Sequence, residues 1–217
     1  MERLKVGVLA SGRGSNFQAI IDSAESGYLN IEIAVLITDN PEAFAIERAK
    51  KHGISYLVIR PKQFTSRDNY FSHIATELQR LKVGLVILAG FMRIVRKPLI
   101  TAFRNRILNI HPALLPAFPG LHSQKQALDY GVKISGCTVH FVDEGMDTGP
   151  IIIQAAVPVK DDDTEHTLSD RILKLEHKIF PQAIKLFSEG RLEVISNKVK
   201  IKGILFDDKA ITNPPLS

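Results

Sequence analysis

The chain has 217 residues, of which 45% are hydrophobic and 24% are charged, a balance typical of a soluble globular protein with one substantial domain or two small ones. Its single cysteine, Cys137, excludes an internal disulfide and predicts a reducing compartment such as the cytoplasm. The formal net charge of +5 suits anionic small-molecule ligands but is too small to indicate nucleic-acid binding, and the sequence has neither a membrane-spanning apolar run nor a signal peptide.

The first half of the chain alternates between apolar strands and amphipathic helices. Short apolar runs that end in turn residues predict five strands, and helical periodicity predicts four helices between them. The predicted strands cover residues 5–10, 31–38, 55–59, 83–89 and 107–110, and the predicted helices cover residues 17–26, 43–52, 66–81 and 98–103. This alternation predicts an α/β fold with a parallel sheet that is covered by helices on both faces.

The pattern changes after residue 112. A proline-rich loop leads to a predicted helix over residues 123–129. Two predicted strands, over residues 134–142 and 151–159, suit an antiparallel pair joined by a long loop. A long amphipathic helix is predicted between Thr164 and Gly190, and residues 194–204 alternate like a charged edge strand. The second half therefore predicts an antiparallel extension of the sheet.

A glycine-rich turn, Ser11-Gly12-Arg13-Gly14-Ser15-Asn16, joins the first strand to the first helix. Free backbone N–H groups at the start of a helix can form a cradle for an anion. The dinucleotide fingerprint requires a third glycine where this chain has Phe17, and the Lys-Ser/Thr pair of a P-loop is missing. The turn therefore predicts a site for one phosphate, and the alternative is a tight turn without a ligand.

The strongest candidate for chemistry is the run Asn109-Ile110-His111-Pro112 together with Asp147. Residues two apart on a strand point to the same face, so the amide and the imidazole should emerge side by side. An amide, an imidazole and a carboxylate suit the stabilisation and protonation of an oxyanion. The alternative is that Asn109 and Asp147 form turns and that His111 is a structural histidine.

Four other positions allow two interpretations each. Residues 90–95 follow the fourth strand and could bind a flat heteroaromatic ring or simply fill the core. Asp39 could bind a ribose hydroxyl, but capping the helix over residues 43–52 is favoured. Glu176 lies at the edge of the apolar stripe of the long helix; it could be half-buried and reach into a cleft, but a solvated edge position is favoured. Arg67 is interpreted as a solvated surface residue.

Six segments together resemble the phosphoribosylglycinamide formyltransferases, the folate-dependent glycinamide ribonucleotide transformylases of purine biosynthesis. These segments are residues 8–16, 88–94, 108–116, 139–142, 147–152 and 176–181. The Asn-x-His-Pro and Asp-x-Gly-Pro elements resemble those of the wider superfamily that uses formyltetrahydrofolate. The Gly-Ser-Asn loop and the helix carrying Glu176 narrow the resemblance to this family. It implies one formyltransferase domain over residues 1–203, with a Rossmann-like phosphate-binding half over 1–110, a folate-binding and catalytic half over 111–203, and a tail over 204–217.

The resemblance also implies a role for each matched residue. Asn109, His111 and Asp147 match the catalytic trio of the family. The residues that match the nucleotide site are Gly14, Ser15, Asn16 and Glu176. The residues that match the folate site are Arg67, Met92, Arg93, Ile94, Val95, Asn109, Asp143, Glu144, Gly145 and Met146.

The implied reaction transfers the formyl group of 10-formyltetrahydrofolate, a co-substrate, to the amine of glycinamide ribonucleotide without a metal. Asn109 would donate a hydrogen bond to the oxyanion, and a protonated His111 would pass a proton toward N10 of the folate, directly or through water. Asp147 would hold His111 in its charged form. The resemblance further predicts small-molecule substrates alone, no nucleic-acid or membrane partner, and a monomer or homodimer.

Three other functions compete with this one. A hydrolase of 10-formyltetrahydrofolate would use the same trio but usually carries an additional N-terminal regulatory domain. An enzyme that formylates methionyl-tRNA would require an additional C-terminal domain. A non-catalytic nucleotide-binding module would need the glycine-rich turn but not the trio.

Overall fold

A computed structural model describes residues 3–203 and residue 213. The strands are β1 (Leu4–Leu9), β2 (Ile31–Thr38), β3 (Tyr56–Val58), β4 (Leu85–Leu88), β5 (Ile107–His111), β6 (Ile134–Phe141), β7 (Ile151–Pro158), β8 (Leu192–Ile195) and β9 (Lys198–Ile201). The helices are α1 (Ser15–Glu25), α2 (Ala45–Lys51), α3 (Arg67–Arg80), α4 (Lys97–Ala102), α5 (Ser123–Tyr130) and α6 (Glu165–Ser188), with a 3-10 helix at Pro61–Gln63. Apart from Asn213, the predicted tail over residues 204–217 lies outside the described residues.

Seven strands form one sheet in the order β3-β2-β1-β4-β5-β6-β7. The pairs from β3 to β5 are parallel, whereas β6 runs antiparallel to β5 and β7 runs antiparallel to β6. The predicted fold class is therefore confirmed: a mostly parallel sheet with an antiparallel extension contributed by the second half of the chain.

Hydrophobic cores lie on both faces of this sheet, because alternate residues of a strand point to opposite sides. Val6 and Val8 of β1 join the core formed with α1 and α6, whereas Leu9 joins the core formed with α3 and α4. Both cores exclude water from the central strands, which explains why β1 and β4 read as continuous apolar runs rather than as an alternating pattern.

The prediction for the end of the chain was wrong. Residues 194–204 were predicted as one charged edge strand, but β8 and β9 form a separate antiparallel hairpin that turns at Ser196 and Asn197. Ser196 has a φ of 56°, so the chain reverses there through the left-handed region. The alternating pattern corresponds to the two strands β8 and β9, but it does not indicate the turn between them.

The strand order reverses between β1 and β4, since the chain continues from β1 toward β3 on one side and from β4 toward β7 on the other. In open α/β sheets the crevice at such a reversal, beyond the carboxyl ends of the strands, is where ligands bind. No helix among residues 3–203 has the length and apolar character needed to cross a membrane.

Candidate active site

The segments that follow β1 and β4 meet at the reversal of the sheet. The N–H of Ser11 donates to the carbonyl of Gly90 (3.0 Å), and the N–H of Met92 donates to Ser11 Oγ (3.0 Å). These bonds tie residues 11–16, which we call the glycine loop, to the start of the segment over residues 90–95. Together they line an open cavity of about 220 Å³, whose lining includes Gly14, Asn16 and Met92.

Gly14 is required by the geometry of the glycine loop. Its φ of 66° lies in the left-handed region, which glycine enters without the penalty that other residues incur. A Cβ at this position would also lie 2.9 Å from Cβ of Ala45 in α2. Helix α1 begins at Ser15, directly after Gly14, so the unpaired N–H groups of its first turn lie beside the cavity.

Asn16 and Glu176 form a buried polar pair at the cavity, although 160 residues separate them. Asn16 Nδ2 donates to Glu176 Oε2 at 2.7 Å, and the two residues are only 8% and 6% exposed. Burial raises the pKa of the Glu176 carboxyl, and the hydrogen bond from Asn16 opposes that rise. Glu176 is thus buried, and the favoured interpretation of a solvated edge position was wrong. Asn16 Oδ1 has no partner among the described residues, so the pair offers an acceptor to a ligand.

The structure brings Asn109, His111 and Asp147 together. Asn109 and His111 lie on β5 and point to the same face, as their spacing predicts. His111 Nδ1 lies 3.5 Å from Asp147 Oδ2, and that oxygen also accepts the N–H of Gly120 (2.9 Å). Asp147 has a φ of 56°, so a left-handed backbone turns its carboxylate toward the sheet.

Both ring nitrogens of His111 face acceptors of the protein. Nε2 lies 2.8 Å from the carbonyl of Phe118, and Nδ1 faces Asp147. A protonated imidazole therefore has an acceptor for each N–H, whereas a neutral ring leaves one of them unused. Since His111 is 5% exposed, delivery of its proton to a substrate requires one contact to open or a water to bridge.

His140 is a member of this site that the sequence interpretation missed. It lies opposite Asn109 in the β5–β6 pairing, and its Nε2 is 3.1 Å from Asn109 Nδ2 and 3.7 Å from Asp147 Oδ1. Its Nδ1 lies 2.8 Å from the carbonyl of Phe141, which requires a proton on Nδ1. Burial lowers the pKa of His140. A neutral His140 thus accepts from the amide of Asn109 and fixes its orientation.

The residues that match the folate site are distributed between the surface and the interior. Met92 and Ile94 are 66% and 55% exposed, whereas Val95 is buried in the core shared with α3 and α4. Arg93 pairs with Asp39, whose side chain is almost buried. The interpretation of Asp39 as a helix cap was therefore wrong: α2 begins at Ala45, and no side chain caps it.

The loop over residues 143–150 closes against the proline-rich loop. Asp143 Oδ1 accepts from the N–H of Gly145 (3.1 Å) and from Thr148 Oγ1 (2.7 Å), which holds the loop in a compact turn. Met146 is 51% exposed, and its Sδ would lie 3.2 Å from a Cβ at Gly120. Glu144 is exposed in the same loop. This loop therefore presents a polar rim and one apolar side chain beside His111.

Arg67, which matches the folate site of the family, forms no hydrogen bond or ion pair with the other matched residues within the described part of the chain. It begins α3 and is exposed, and its neighbour Asp68 lies 3.9 Å from Arg96. Within residues 3–203, no group of three or more His, Cys, Asp or Glu side chains is arranged to hold a metal ion.

Comparison with known proteins identifies the family. The sequence profile described as "Formyl transferase" matches residues 4–184. The chain belongs to the formyl transferase family.

Relatives of this formyl transferase include complete enzymes and parts of larger ones. It is 45% identical to the phosphoribosylglycinamide formyltransferase of Bacillus subtilis, over 83% of this chain and 93% of that protein. The glycinamide ribonucleotide transformylase 1 of Symbiobacterium toebii has 52% identity and a TM-score of 0.91, over 92% of this chain and 94% of that one. The trifunctional purine biosynthetic protein adenosine-3 of Drosophila melanogaster is 48% identical over 87% of this chain. This chain spans only 14% of its length.

Two signals in the sequence of this formyl transferase could have revealed His140. It lies within one of the segments that carry the family resemblance, and it is a polar residue between the apolar Val139 and Phe141. A buried histidine in an apolar strand needs partners for its ring nitrogens. The register that places it opposite Asn109, however, depends on the antiparallel pairing of β5 with β6, which the sequence alone does not specify.

Proposed function

We propose that this chain transfers the formyl group of 10-formyltetrahydrofolate to the amine of glycinamide ribonucleotide, giving formylglycinamide ribonucleotide and tetrahydrofolate in purine biosynthesis. The observation that carries the proposal is that three features lie together at the carboxyl end of the parallel strands. They are the glycine loop with its cavity, the buried Asn16–Glu176 pair, and the group formed by Asn109, His111 and Asp147. A hydrolase of formyltetrahydrofolate needs only the last of these.

The nucleotide would bind with its phosphate at the glycine loop. The N–H groups of Gly14, Ser15 and Asn16 suit an anion, because the first turn of α1 leaves them without helical acceptors. Glu176 and Asn16 Oδ1 are acceptors and therefore suit donor groups of the same nucleotide, its hydroxyls or its amine. These contacts direct the amine toward β5.

The folate would bind beside the carboxyl end of β5, between the segment over residues 90–95 and the loop over residues 143–150. Exposed Met92, Ile94 and Met146 offer apolar contacts to a flat ring. Arg67 would lie toward the acidic tail of the folate, as its match to the family suggests, and its exposure leaves it free to do so.

The reaction would proceed by addition and elimination. The lone pair of the amine attacks the formyl carbon, and the C=O π electrons move to oxygen to give a tetrahedral oxyanion, which accepts a hydrogen bond from Asn109. The oxyanion then re-forms the C=O bond as the C–N10 bond breaks, and the C–N10 electron pair goes to N10, which gains a proton from the imidazolium of His111. The attacking nitrogen loses one proton, which restores His111, so protons and charge balance over the cycle. Asp147 stabilises His111 in those steps in which the ring is an imidazolium.

Initial rates of tetrahydrofolate release, measured by absorbance with and without glycinamide ribonucleotide, test the proposal. We expect turnover only when the nucleotide is present. Turnover of equal rate without it, with formate as the product, would replace the proposal with the hydrolase. Binding of the nucleotide with no turnover under either condition would leave a non-catalytic binding module.

A further inference from the structure

Arg48 has no role in the site described so far, yet it contacts the glycine loop directly. It lies on α2 and is partly buried. Its Nε donates to the carbonyl of Arg13 at 2.9 Å, and its Nη1 donates to Gln18 Oε1 at 2.9 Å. One guanidinium thus links the glycine loop, α1 and α2.

The contacts with α2 determine which way the peptide groups of the glycine loop point. The carbonyl of Gly12 accepts the N–H of Ala45 (3.1 Å), and the carbonyl of Arg13 accepts Arg48 Nε. In a planar trans peptide the C=O of one residue and the N–H of the next point in opposite directions. The N–H groups of Arg13 and Gly14 are therefore turned away from α2.

The cavity lies on the side to which these N–H groups turn. It is lined by the glycine loop and by residues of the segment after β4, and α2 does not contribute to its lining. Among residues 3–203, no acceptor meets the backbone N–H of Gly12, Arg13 or Gly14. Unpaired N–H groups beside a cavity suit an anionic ligand.

The charge of Arg48 is also available to an anion. No carboxylate within the described part of the chain lies within 4.0 Å of its guanidinium, whose Cζ instead lies 5.0 Å from the centre of the Phe44 ring. Its field reaches the surrounding groups, since it lowers the pKa of His177 on α6 in addition to the larger effect of burial. The guanidinium of Arg48 and the N–H groups of the glycine loop therefore both attract an anion in the cavity.

We propose that Arg48 is a positioning residue for phosphate binding: by holding the carbonyl of Arg13 toward α2, it keeps the N–H of Gly14 turned into the cavity, where the phosphate of the nucleotide binds. This inference rests on the proposed function for the identity of the nucleotide. It does not require Arg48 to touch the reacting atoms, so its effect should appear in nucleotide affinity rather than in turnover.

Kinetics of three variants test this role. Arg48→Gln should raise the KM for glycinamide ribonucleotide about tenfold, leave kcat within about twofold, and leave the KM for the folate unchanged. Arg48→Lys keeps the charge and the aliphatic stem but not the forked geometry, and should raise the nucleotide KM roughly threefold. Lys51→Gln removes the same charge from an exposed position on the same helix and is the matched control, with no change expected. Equal increases in both KM values, or nucleotide KM values no higher than that of the control, would overturn the inference.

Binding of inorganic phosphate tests the same role without turnover. In amide NMR spectra of the native chain, phosphate should shift the signals of Gly14 and Ser15, and Arg48→Gln should weaken that binding about tenfold. Phosphate binding that depends on Arg48, in a chain that transfers no formyl group, would support this inference and refute only the proposed function. If the chain transfers the formyl group but both Arg48 variants bind phosphate with the affinity of the native chain, only this inference is refuted.

Discussion

The substitution of His140 offers a stringent test of how the site is built. His140 is 2% exposed, bonds the carbonyl of Phe141 through Nδ1, and accepts from Asn109 through Nε2. His140→Leu removes both bonds and leaves the buried carbonyl of Phe141 and the part-buried amide of Asn109 without these partners. His140→Gln is the matched variant, because its Oε1 can accept from Asn109 at about the position of Nε2.

The expected magnitudes follow from these contacts. Each buried group left unpaired costs about 1–3 kcal/mol, so His140→Leu should lower the free energy of unfolding by roughly 2 kcal/mol or more. Loss of an oxyanion donor costs about a hundredfold or more in kcat, and Asn109 would be misoriented rather than removed. We therefore expect His140→Leu to lower kcat roughly tenfold to a hundredfold, and His140→Gln to recover most of that loss.

The pH dependence of stability provides a second measure of His140. Burial holds its pKa in the folded state below the ordinary value of 6.5, so the unfolded chain binds a proton more readily. Its contribution to stability is present above that ordinary value and is lost as the pH falls through the lower pKa of the folded state. His140→Gln should therefore lose less stability than the native chain on acidification.

Urea unfolding at neutral and acidic pH, together with kcat for each folded variant, checks these expectations. Equal kcat for His140→Leu and the native chain would show that Asn109 needs no orienting partner. Equal losses in His140→Leu and His140→Gln would show that packing, rather than the acceptor, is what matters. Either result would refute the reasoning.

Three other predictions follow from the structure. Glu176→Gln should raise the nucleotide KM about tenfold. Burial raises the pKa of Glu176 in the folded state, so ionisation of this carboxyl destabilises the folded chain as the pH rises. The variant should therefore be more thermally stable than the native chain toward alkaline pH, and equal stability would contradict the burial of Glu176. Asp147→Asn removes the charge 3.5 Å from His111 and should lower kcat roughly tenfold to a hundredfold in steady-state assays, with an unchanged rate as the contrary result. Gly14→Ala should lower the free energy of unfolding in urea by about 1–2 kcal/mol, since it forces a Cβ into the left-handed region and against Ala45, and a neutral effect would contradict that geometry.

The sequence predicts the sheet and its main elements because the apolar strands and amphipathic helices follow regular periods. Asn109 and His111 share a face of β5 because residues two apart must do so in any strand. The family resemblance matches both the glycine loop and Glu176 to the nucleotide site, and in the structure one hydrogen bond joins Asn16 of α1 to Glu176 of α6.

Features that depend on contacts between distant segments could not be predicted. The burial of Glu176 arises where α6 packs against α1. The pairing of Asp39 with Arg93 arises where the segments that follow β2 and β4 meet. His140 reaches Asn109 through the register of β6 on β5. Periodicity reports the exposed and buried faces of a single element, whereas these contacts are set by how elements pack against one another.

Transfer of an isotopically labelled formyl group tests the central claim most directly. With 10-formyltetrahydrofolate carrying carbon-13 in its formyl group, NMR of the products should show the label in formylglycinamide ribonucleotide, and His111→Ala should abolish that signal in a protein that remains folded. Label found in formate, or transfer to the nucleotide that survives His111→Ala undiminished, would contradict the account.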